Sequence, residues 1–587
     1  MAEKVQQGSR QDRRWQARDW IAAVALFVVS ASFVLWQNAH IAVLWDLSYL
    51  LDTSWRIVLG QMPYRDFPLV HPPGTFLIQA GLIRLLGRHA WAQIGYAALI
   101  GGLGTVLAWR TFVREMRSHA QAGWIVALAL AVPLCFLGMY GVYPHPIYDC
   151  DCAFSVLVAI YLLQRLGDCA GQAERKARRF GFAAGVSSVV PCFFKQNIGL
   201  PFLLALVAGV VLLLLVHGRK PDRVVQREAL LWLLMGVATA VVCGGLLIQV
   251  AAGWGNFWQW TVLFAGERRL PGLSPMLSNY RQAQLVWTVP ALVAGMVFLR
   301  TGKKGKVGHW LRISGLGLAA APFVACFAEF FFADGIDDQA DCLLALWPLL
   351  LLVAAGNALY ELRKGLSLSR LVPFLVLAAI HGTLLSQQLW GSTYAIWPLL
   401  LILTTGLLAA RSDADGLIVQ VWVVPALSGV IGAVLLVCGG LYAAGHDRLS
   451  YLNEINGEPV HATLPALRGL STPGPYLGDF EELVRFADVE IPREDGILLL
   501  PGEEPFFFAT GRTPHFPVQI FDRTTDPYSA DELMAQADRR GIRWVIVKTR
   551  LQSNEDPLPE RERTMELIAA EFMVNRELAG YTAYRRR

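Results

Sequence analysis

Long apolar runs repeat along the first three quarters of this 587-residue chain and restrict it to one class of fold. These runs lie at 20–35, 201–216, 230–250, 343–355 and 418–441. A helix that crosses a membrane needs roughly 20 predominantly apolar residues. Charged residues make up only 17% of the chain, against about 25% in soluble domains. The sequence therefore predicts a polytopic α-helical membrane protein.

The N-terminus is basic and precedes the first apolar run. Residues 1–19 include Lys4, Arg10, Arg13, Arg14 and Arg18. No small-residue cleavage site of the Ala-x-Ala type follows at a suitable distance, so we do not expect a cleaved signal peptide. We expect an uncleaved first helix whose basic end, residues 1–19, is cytoplasmic. The net charge of +5 then reflects membrane orientation, and no nucleic-acid partner is expected.

The basic loops predict the topology, because loops rich in Lys and Arg stay in the cytoplasm. Such loops occur at 110–117, 175–179, 219–227, 300–312 and 363–370, with a weaker one around Arg411. The acidic loop 334–341 falls on the opposite side. Successive spans alternate the side on which the loops lie, so counting segment 75–86 as a span would put the basic loop 110–117 outside. This segment is short for a span, and we expect it to lie along the membrane surface or to re-enter it. This gives about 13 transmembrane helices and a large external loop at 41–89.

The composition changes after residue 445. Residues 20–445 form the predicted transmembrane domain, whereas 446–587 have the charge content of a soluble protein. Short aliphatic runs at 496–500 and 544–548 are typical of strands, and 530–540 and 560–572 have helical periodicity. We predict a small external α/β domain at 446–587.

Four polar clusters are predicted to meet on the external face. They contain Asp46, Tyr64, Arg65, Asp66 and His71; Asp149 and Asp151; Lys195; and Arg268 and Arg269. Charges near a membrane are costly and usually face a cavity, a partner or a ligand. A carboxylate can take a proton from an acceptor group, and cations can hold a phosphate and stabilise the charge that it gains as it leaves. This mixture suits transfer from a lipid phosphate carrier.

Each residue also has a structural interpretation. Asp46 would terminate the first helix, and Asp149 or Asp151 would cap the N-terminus of another. Lys195 would extend its ammonium to the membrane interface. Arg268 and Arg269 would anchor lipid headgroups. The predicted convergence of the four clusters favours a functional site.

The motifs resemble those of the GT-C glycosyltransferases, the membrane enzymes that use polyprenyl-phosphate sugars. The likeness is to the branch of the protein O-mannosyltransferases and the lipid A aminoarabinose transferases. An aspartate after the first helix, a Gly-x-x-Pro-Tyr-Arg-Asp stretch at 60–66 and a Pro-Pro turn at 72–73 occur there in this order. The resemblance covers residues 20 to 300 by motif and the remainder by architecture.

The resemblance implies site residues. The family's catalytic aspartate maps onto Asp46, and its second acidic residue maps onto Asp149 or Asp151. His71 stands where the family often has the lysine of a Lys-Pro-Pro motif, so a phosphate contact there requires a protonated His71 or a substitute such as Lys195. The spacing of Asp149 and Asp151 is similar to the Asp-x-Asp of metal-using relatives, but the mannosyl branch requires no metal, and no cofactor is expected.

The resemblance implies a hexosyl- or pentosyltransferase of the inner membrane, in which Asp46 acts as base in an inverting single displacement. Lys195, Arg268, Arg269 and His71 would bind the donor phosphate, and Tyr64, Arg65 and Asp66 would form a substrate loop. The acceptor would be an envelope glycan, lipid or protein. A transporter or flippase of a lipid-linked glycan is the main alternative, and a non-catalytic scaffold is the third.

Overall fold

The structure of the protein is a computed structural model. It describes residues 15–587 except 118–119, 169–173, 218–223, 271, 273, 275–276, 302–305, 334, 384, 386–394, 410–419 and 446–448. The basic residues 1–14, the loop around Arg411 and Asp334 of the acidic loop therefore lie outside the described residues. Parts of the basic loops at 219–227 and 300–312 do so as well.

The first 445 residues are almost entirely helical. The helices are α1 Ala17–Asn38, α2 Leu44–Val58, α3 Gly74–Leu86, α4 Ala90–Glu115, α5 Ala120–Ala131, α6 Leu134–Leu137, α7 Tyr148–Asp168, α8 Glu174–Val189, α9 Gln196–His217, α10 Val224–Ala251, α11 Trp254–Trp258, α12 Ala265–Arg269, α13 Leu285–Thr301, α14 Lys306–Phe332, α15 Ile336–Leu362, α16 Leu368–Thr383, α17 Trp397–Ala409 and α18 Gln420–Ala444. A π-helical turn, Gln259–Phe264, joins α11 to α12, and 3₁₀ turns occupy Val190–Phe193 and Ser278–Arg281.

Eight of the described helices are long and apolar enough to cross a membrane: α1, α4, α7, α9, α10, α14, α15 and α18. Five further helices outside loop 41–89 are shorter or begin with charged residues: α5, α8, α13, α16 and α17. Within the described ranges eight helices therefore have the length and composition of a span, and the number of about 13 stays a prediction. The prediction of a polytopic helical membrane protein is confirmed.

Loop 41–89 contains two helices, α2 and α3. Helix α3 begins directly after Pro73 and ends at Gly87, whose φ of 86° suits a glycine at a helix C-terminus. Its first residue, Gly74, lies so close to the 3₁₀ turn that a Cβ there would be 2.5 Å from the Phe193 carbonyl oxygen. Glycine at this position therefore allows α3 to pack against the segment that leads to Lys195.

The C-terminal domain is a small α/β unit. Its helices are α19 Tyr476–Glu490, α20 Phe506–Thr510, α21 Ala530–Arg539 and α22 Arg561–Glu571, and its strands are β1 Val460–His461, β2 Ser471–Thr472, β3 Gly496–Leu500, β4 Ile542–Lys548, β5 Phe572–Glu577 and β6 Tyr581–Arg586. The four longer strands form one sheet in the order β3-β4-β6-β5, in which only the β3–β4 pair is parallel. The α/β prediction is confirmed.

Both faces of the sheet are buried. Successive residues of a strand point to opposite sides, so alternate residues of β3 reach different clusters. On one face, Leu498 and Leu500 pack with residues of α21 and α22. On the other face, Ile497 and Leu499 belong to a buried cluster that also includes residues of α19, α20 and α2. Helix α2 belongs to loop 41–89, so the C-terminal domain and this loop share one apolar core.

Polar contacts also hold α2 against the C-terminal domain. Asp52 of α2 accepts the backbone N–H groups of Phe507 and Phe508, at 3.2 and 2.6 Å. The Trp55 indole donates to the Arg512 carbonyl oxygen at 3.0 Å. These bonds satisfy backbone groups that burial would otherwise leave unpaired.

We predict that Asp52→Ala weakens the packing of α2 against the C-terminal domain and lowers the free energy of unfolding by about 1–3 kcal/mol, because it leaves buried N–H groups without acceptors. The expected result is a lower thermal unfolding midpoint in detergent and faster proteolysis within residues 449–587. Glu490→Ala is the control, because Glu490 is exposed on the same domain. Equal midpoints for the two variants would contradict the prediction.

Candidate active site

Asp46 lies in the first turn of α2 and is half-buried. Its carboxylate accepts a hydrogen bond of 2.5 Å from the Tyr143 hydroxyl. Burial raises the pKa of Asp46 to about 6; the Tyr143 hydrogen bond and the Arg269 charge oppose this rise, while the Asp149 charge adds to it. Asp46 is thus a partly accessible carboxylate with a pKa close to neutrality, as a general base requires.

The start of α2 is held by side chains from distant parts of the chain. The first N–H groups of a helix have no partner within it. Here the Val43 N–H donates to Nε2 of His145 at 3.0 Å, and the Leu44 N–H donates to Oε1 of Gln552 at 2.9 Å. The Gln552 amide also donates to the Ala42 carbonyl oxygen at 2.8 Å. Residues from another loop and from the C-terminal domain therefore fix the turn that carries Asp46.

Asp149 and Lys195 form a buried ion pair. Asp149 lies in the first turn of α7, and Lys195 lies between the 3₁₀ turn and α9. The Lys195 ammonium donates to the Asp149 carboxylate and lies 5.0 Å from the centre of the Tyr148 ring. Burying a charge is costly unless it is paired, so each of the two residues needs the other.

Asp151 lies two residues further along α7, in a different environment. Its carboxylate accepts hydrogen bonds from the hydroxyl groups of Thr75, Tyr96 and Tyr140, at 2.6, 2.8 and 2.6 Å. These donors belong to α3, to α4 and to the loop before α7. Asp151 is only 2% exposed. Its hydrogen bonds connect these three elements, and its carboxylate does not face an accessible surface.

His71 is buried next to Arg269 and Tyr148. Its ring stacks on Tyr148 with centroids 3.8 Å apart, and its Nε2 is 2.7 Å from Nη1 of Arg269. A guanidinium can only donate, so Nε2 is the acceptor, and Nδ1 carries the proton toward the Tyr49 hydroxyl at 3.0 Å. Burial, with the charges of Arg269 and Lys195, lowers the pKa of His71 well below 6.5. The positive charges next to His71 therefore belong to the neighbouring side chains Arg269 and Lys195.

Four further predicted site residues bind partners other than Asp46. Arg268 is exposed and donates to the Arg523 carbonyl oxygen at 3.0 Å. Arg65 and Asp66 pair with each other at 2.9 Å on an exposed turn. Tyr64 is buried and donates to the His71 carbonyl oxygen at 2.6 Å, which fixes the backbone at His71.

The site thus contains a carboxylate, Asp46, on which the charges of Asp149 and Arg269 both act. The two carboxylates of the Asp-x-Asp motif do not share a partner, because Asp149 is bound to Lys195 and Asp151 to three hydroxyl groups. This donor set does not fit a divalent cation, and among the described residues no cluster of three metal-ligating side chains occurs. The arrangement can accept a proton at Asp46 and bind an anion near Arg269.

Sequence reasoning did not assign the aromatic residues that hold these groups. Tyr143 contacts Asp46, Tyr148 lies between His71 and Lys195, and Tyr49 contacts His71. In the sequence, tyrosines at helix ends are typical of the membrane interface. Tyr49 lies close to Asp46 in sequence, and Tyr143 and Tyr148 lie close to Asp149, and this proximity was the available signal.

No protein-family model and no curated protein sequence matches the chain. Among solved structures, ArnT from Cupriavidus metallidurans bound to undecaprenyl phosphate is similar over 97% of this chain and 98% of that chain, with 14% identity and a TM-score of 0.47. The archaeal oligosaccharyltransferase AglB from Archaeoglobus fulgidus, in complex with an inhibitory peptide and a dolichol-phosphate, is 11% identical over 91% of this chain and 70% of that chain, with a TM-score of 0.45.

The arabinofuranosyltransferase AftD from Mycobacteria is 14% identical over 98% of this chain and 42% of that chain, with a TM-score of 0.44. Likenesses at this level assign no residue role and no substrate to this chain.

We predict that Asp149→Asn and Lys195→Met each cost about 3–5 kcal/mol, because either one leaves a buried charge unpaired. The double variant is expected to be more stable than either single variant. Thermal unfolding of the three variants in detergent measures the coupling. Additive losses in the double variant would show that the two side chains do not depend on each other.

Proposed function

We propose that the protein is a membrane glycosyltransferase that moves a sugar from a polyprenyl-phosphate donor to an envelope glycan, lipid or protein. The observation that carries the proposal is the half-buried Asp46, on which the charge of Arg269 acts, together with the neighbouring Asp149, which pairs with Lys195. A base and an anion site in one place match the two charge changes of this reaction. The acceptor loses a proton, and the phosphate gains a negative charge.

In the proposed reaction, the ionised Asp46 takes the proton of an acceptor hydroxyl or amine. The acceptor oxygen or nitrogen forms a bond to the anomeric carbon as the bond between that carbon and the phosphate oxygen breaks. The bonding electrons go to the polyprenyl phosphate. One displacement from the face opposite the phosphate inverts the anomeric centre.

Arg269 is the principal phosphate ligand in this proposal. Its Nη1 and Nη2 are held by His71 and Thr524, whereas its buried Nε has no hydrogen-bond partner within the described part of the chain. An N–H donor on a charged group binds phosphate oxygen strongly. Lys195 adds positive charge, although Asp149 already accepts a bond from it. His71 orients Arg269.

We further propose that the site faces the outer side of a bacterial inner membrane, together with the C-terminal domain. The Lys- and Arg-rich loops of the sequence support this orientation, because such loops favour the cytoplasmic side. The isoprenoid tail of the donor would remain in the bilayer while its phosphate reaches Arg269.

We predict that Asp46→Asn lowers transfer by about 10²–10⁴-fold, the range that loss of a general base produces. The assay follows labelled sugar from a panel of polyprenyl-phosphate sugars in proteoliposomes, and NMR of the product reports the anomeric configuration. Glu490→Gln is the matched control, because it removes an exposed carboxylate in the same manner.

Full activity of Asp46→Asn would remove Asp46 from the mechanism, and retention of the anomeric configuration would exclude a single displacement. Movement of the intact donor between leaflets, without transfer to acceptor or to water, would favour the transporter.

We predict that transfer declines as the pH falls through about 6, where Asp46 becomes protonated. Tyr143→Phe removes a hydrogen bond that lowers the pKa of Asp46, so the acidic limb of kcat/KM should move up by about 0.5–1 pH unit. Tyr140→Phe is the control, since Tyr140 donates to Asp151 instead. An unchanged limb in Tyr143→Phe would assign the titration to another group.

A further inference from the structure

The guanidinium of Arg269 is held from two sides. From loop 41–89, His71 accepts from Nη1 at 2.7 Å. From the C-terminal domain, the Thr524 hydroxyl accepts from Nη2 at 2.9 Å. Thr524 lies 255 residues from Arg269 in sequence, so this contact exists only when the domain is docked.

The Thr524 hydroxyl is itself oriented by a carboxylate. It donates its single proton to Oδ1 of Asp522 at 2.9 Å, which leaves its lone pairs for Arg269. The same oxygen of Asp522 also accepts the N–H groups of Thr524 and Thr525, at 2.6 and 2.7 Å. These hydrogen bonds hold the Thr524 hydroxyl in one orientation. The Thr524 hydroxyl thereby connects the Asp522 carboxylate to the Arg269 guanidinium.

The neighbouring arginine strengthens the same contact. Arg268 donates to the Arg523 carbonyl oxygen at 3.0 Å, so both arginines of α12 are bound to the turn at 522–525. Arg268 is exposed, whereas Arg269 is half-buried and has a buried Nε without a partner among the described residues. The turn therefore fixes the helix end that carries the proposed phosphate ligand.

We propose that Thr524 of the C-terminal domain is a positioning residue for the donor phosphate. It holds the Arg269 guanidinium against His71 so that its remaining N–H groups meet the phosphate of a polyprenyl-phosphate ligand. This inference rests on the proposed function and adds to it that the C-terminal domain completes the donor site.

The chain offers a matched pair of variants. Thr524 and Thr525 are adjacent, and both hydroxyl groups donate to Oδ1 of Asp522, but only Thr524 contacts Arg269. The Thr525 hydroxyl also lies 2.8 Å from the Ile520 carbonyl oxygen, so Thr525→Val disturbs the bonds within the turn at least as much as Thr524→Val, whereas only Thr524→Val removes the bond to Arg269. Thr524→Ser restores the hydroxyl.

The experiment measures binding of undecaprenyl phosphate to the full-length wild type and the three variants in detergent, and KM and kcat of transfer in proteoliposomes. Binding requires no knowledge of the sugar. We expect Thr524→Val to raise Kd and KM by about three- to tenfold, since a hydrogen bond to a charged group is lost, while kcat changes less than about twofold. Thr524→Ser and Thr525→Val should stay within about twofold of wild type.

The outcomes separate the two proposals. If wild type neither binds undecaprenyl phosphate nor transfers sugar, the proposed function fails, and the role of Thr524 fails with it. If wild type binds and transfers but Thr524→Val equals wild type, only the role of Thr524 is overturned. An equal rise in Kd for Thr525→Val, or no rescue by Thr524→Ser, would also overturn it by assigning the effect to the turn.

Discussion

The shared apolar core between α2 and the C-terminal sheet is the constraint on which the candidate site depends. One face of the sheet is covered by α21 and α22, and the other belongs to a buried cluster in which α19 and α20 meet α2. Burying that face fixes α2 against the domain, and the first turn of α2 carries Asp46. The apolar packing of the C-terminal domain thereby determines where the Asp46 carboxylate lies.

Three buried or half-buried aspartates show how environment separates similar residues. Asp151 is surrounded by hydroxyl donors, and Asp149 is neutralised by Lys195. Asp46 has one hydroxyl partner and remains partly accessible. Only the third arrangement leaves a carboxylate able to exchange a proton with a ligand. Satisfied carboxylates stabilise the frame, whereas the incompletely satisfied one is available for chemistry.

The fold class was predictable, because hydropathy and periodicity are local properties of the sequence. The strands at 496–500 and 542–548 and the helices at 530–539 and 561–571 closely match those expected. The β5–β6 hairpin was missed, since Phe572–Glu577 has three apolar residues followed by three polar ones and does not alternate like a half-buried strand.

The acidic and basic residues of the candidate site could be located from their unusual placement near apolar runs. Their roles could not be separated by sequence, because these depend on partners brought together by folding. The choice between Asp149 and Asp151 depends on hydroxyl groups from Thr75, Tyr96 and Tyr140. The contact of Arg269 with Thr524 joins residues that no local pattern connects.

The bond between Leu44 and Gln552 spans 508 residues of sequence. During synthesis, the helix that carries Asp46 leaves the ribosome long before the side chain that caps its first turn. The membrane helices are therefore inserted around an unfinished site, and the last domain to be made brings the residue that completes it. A chain truncated before Gln552 would keep the helices of residues 1–445 yet lack the fixed geometry at Asp46, so the site can assemble only after translation has passed Gln552.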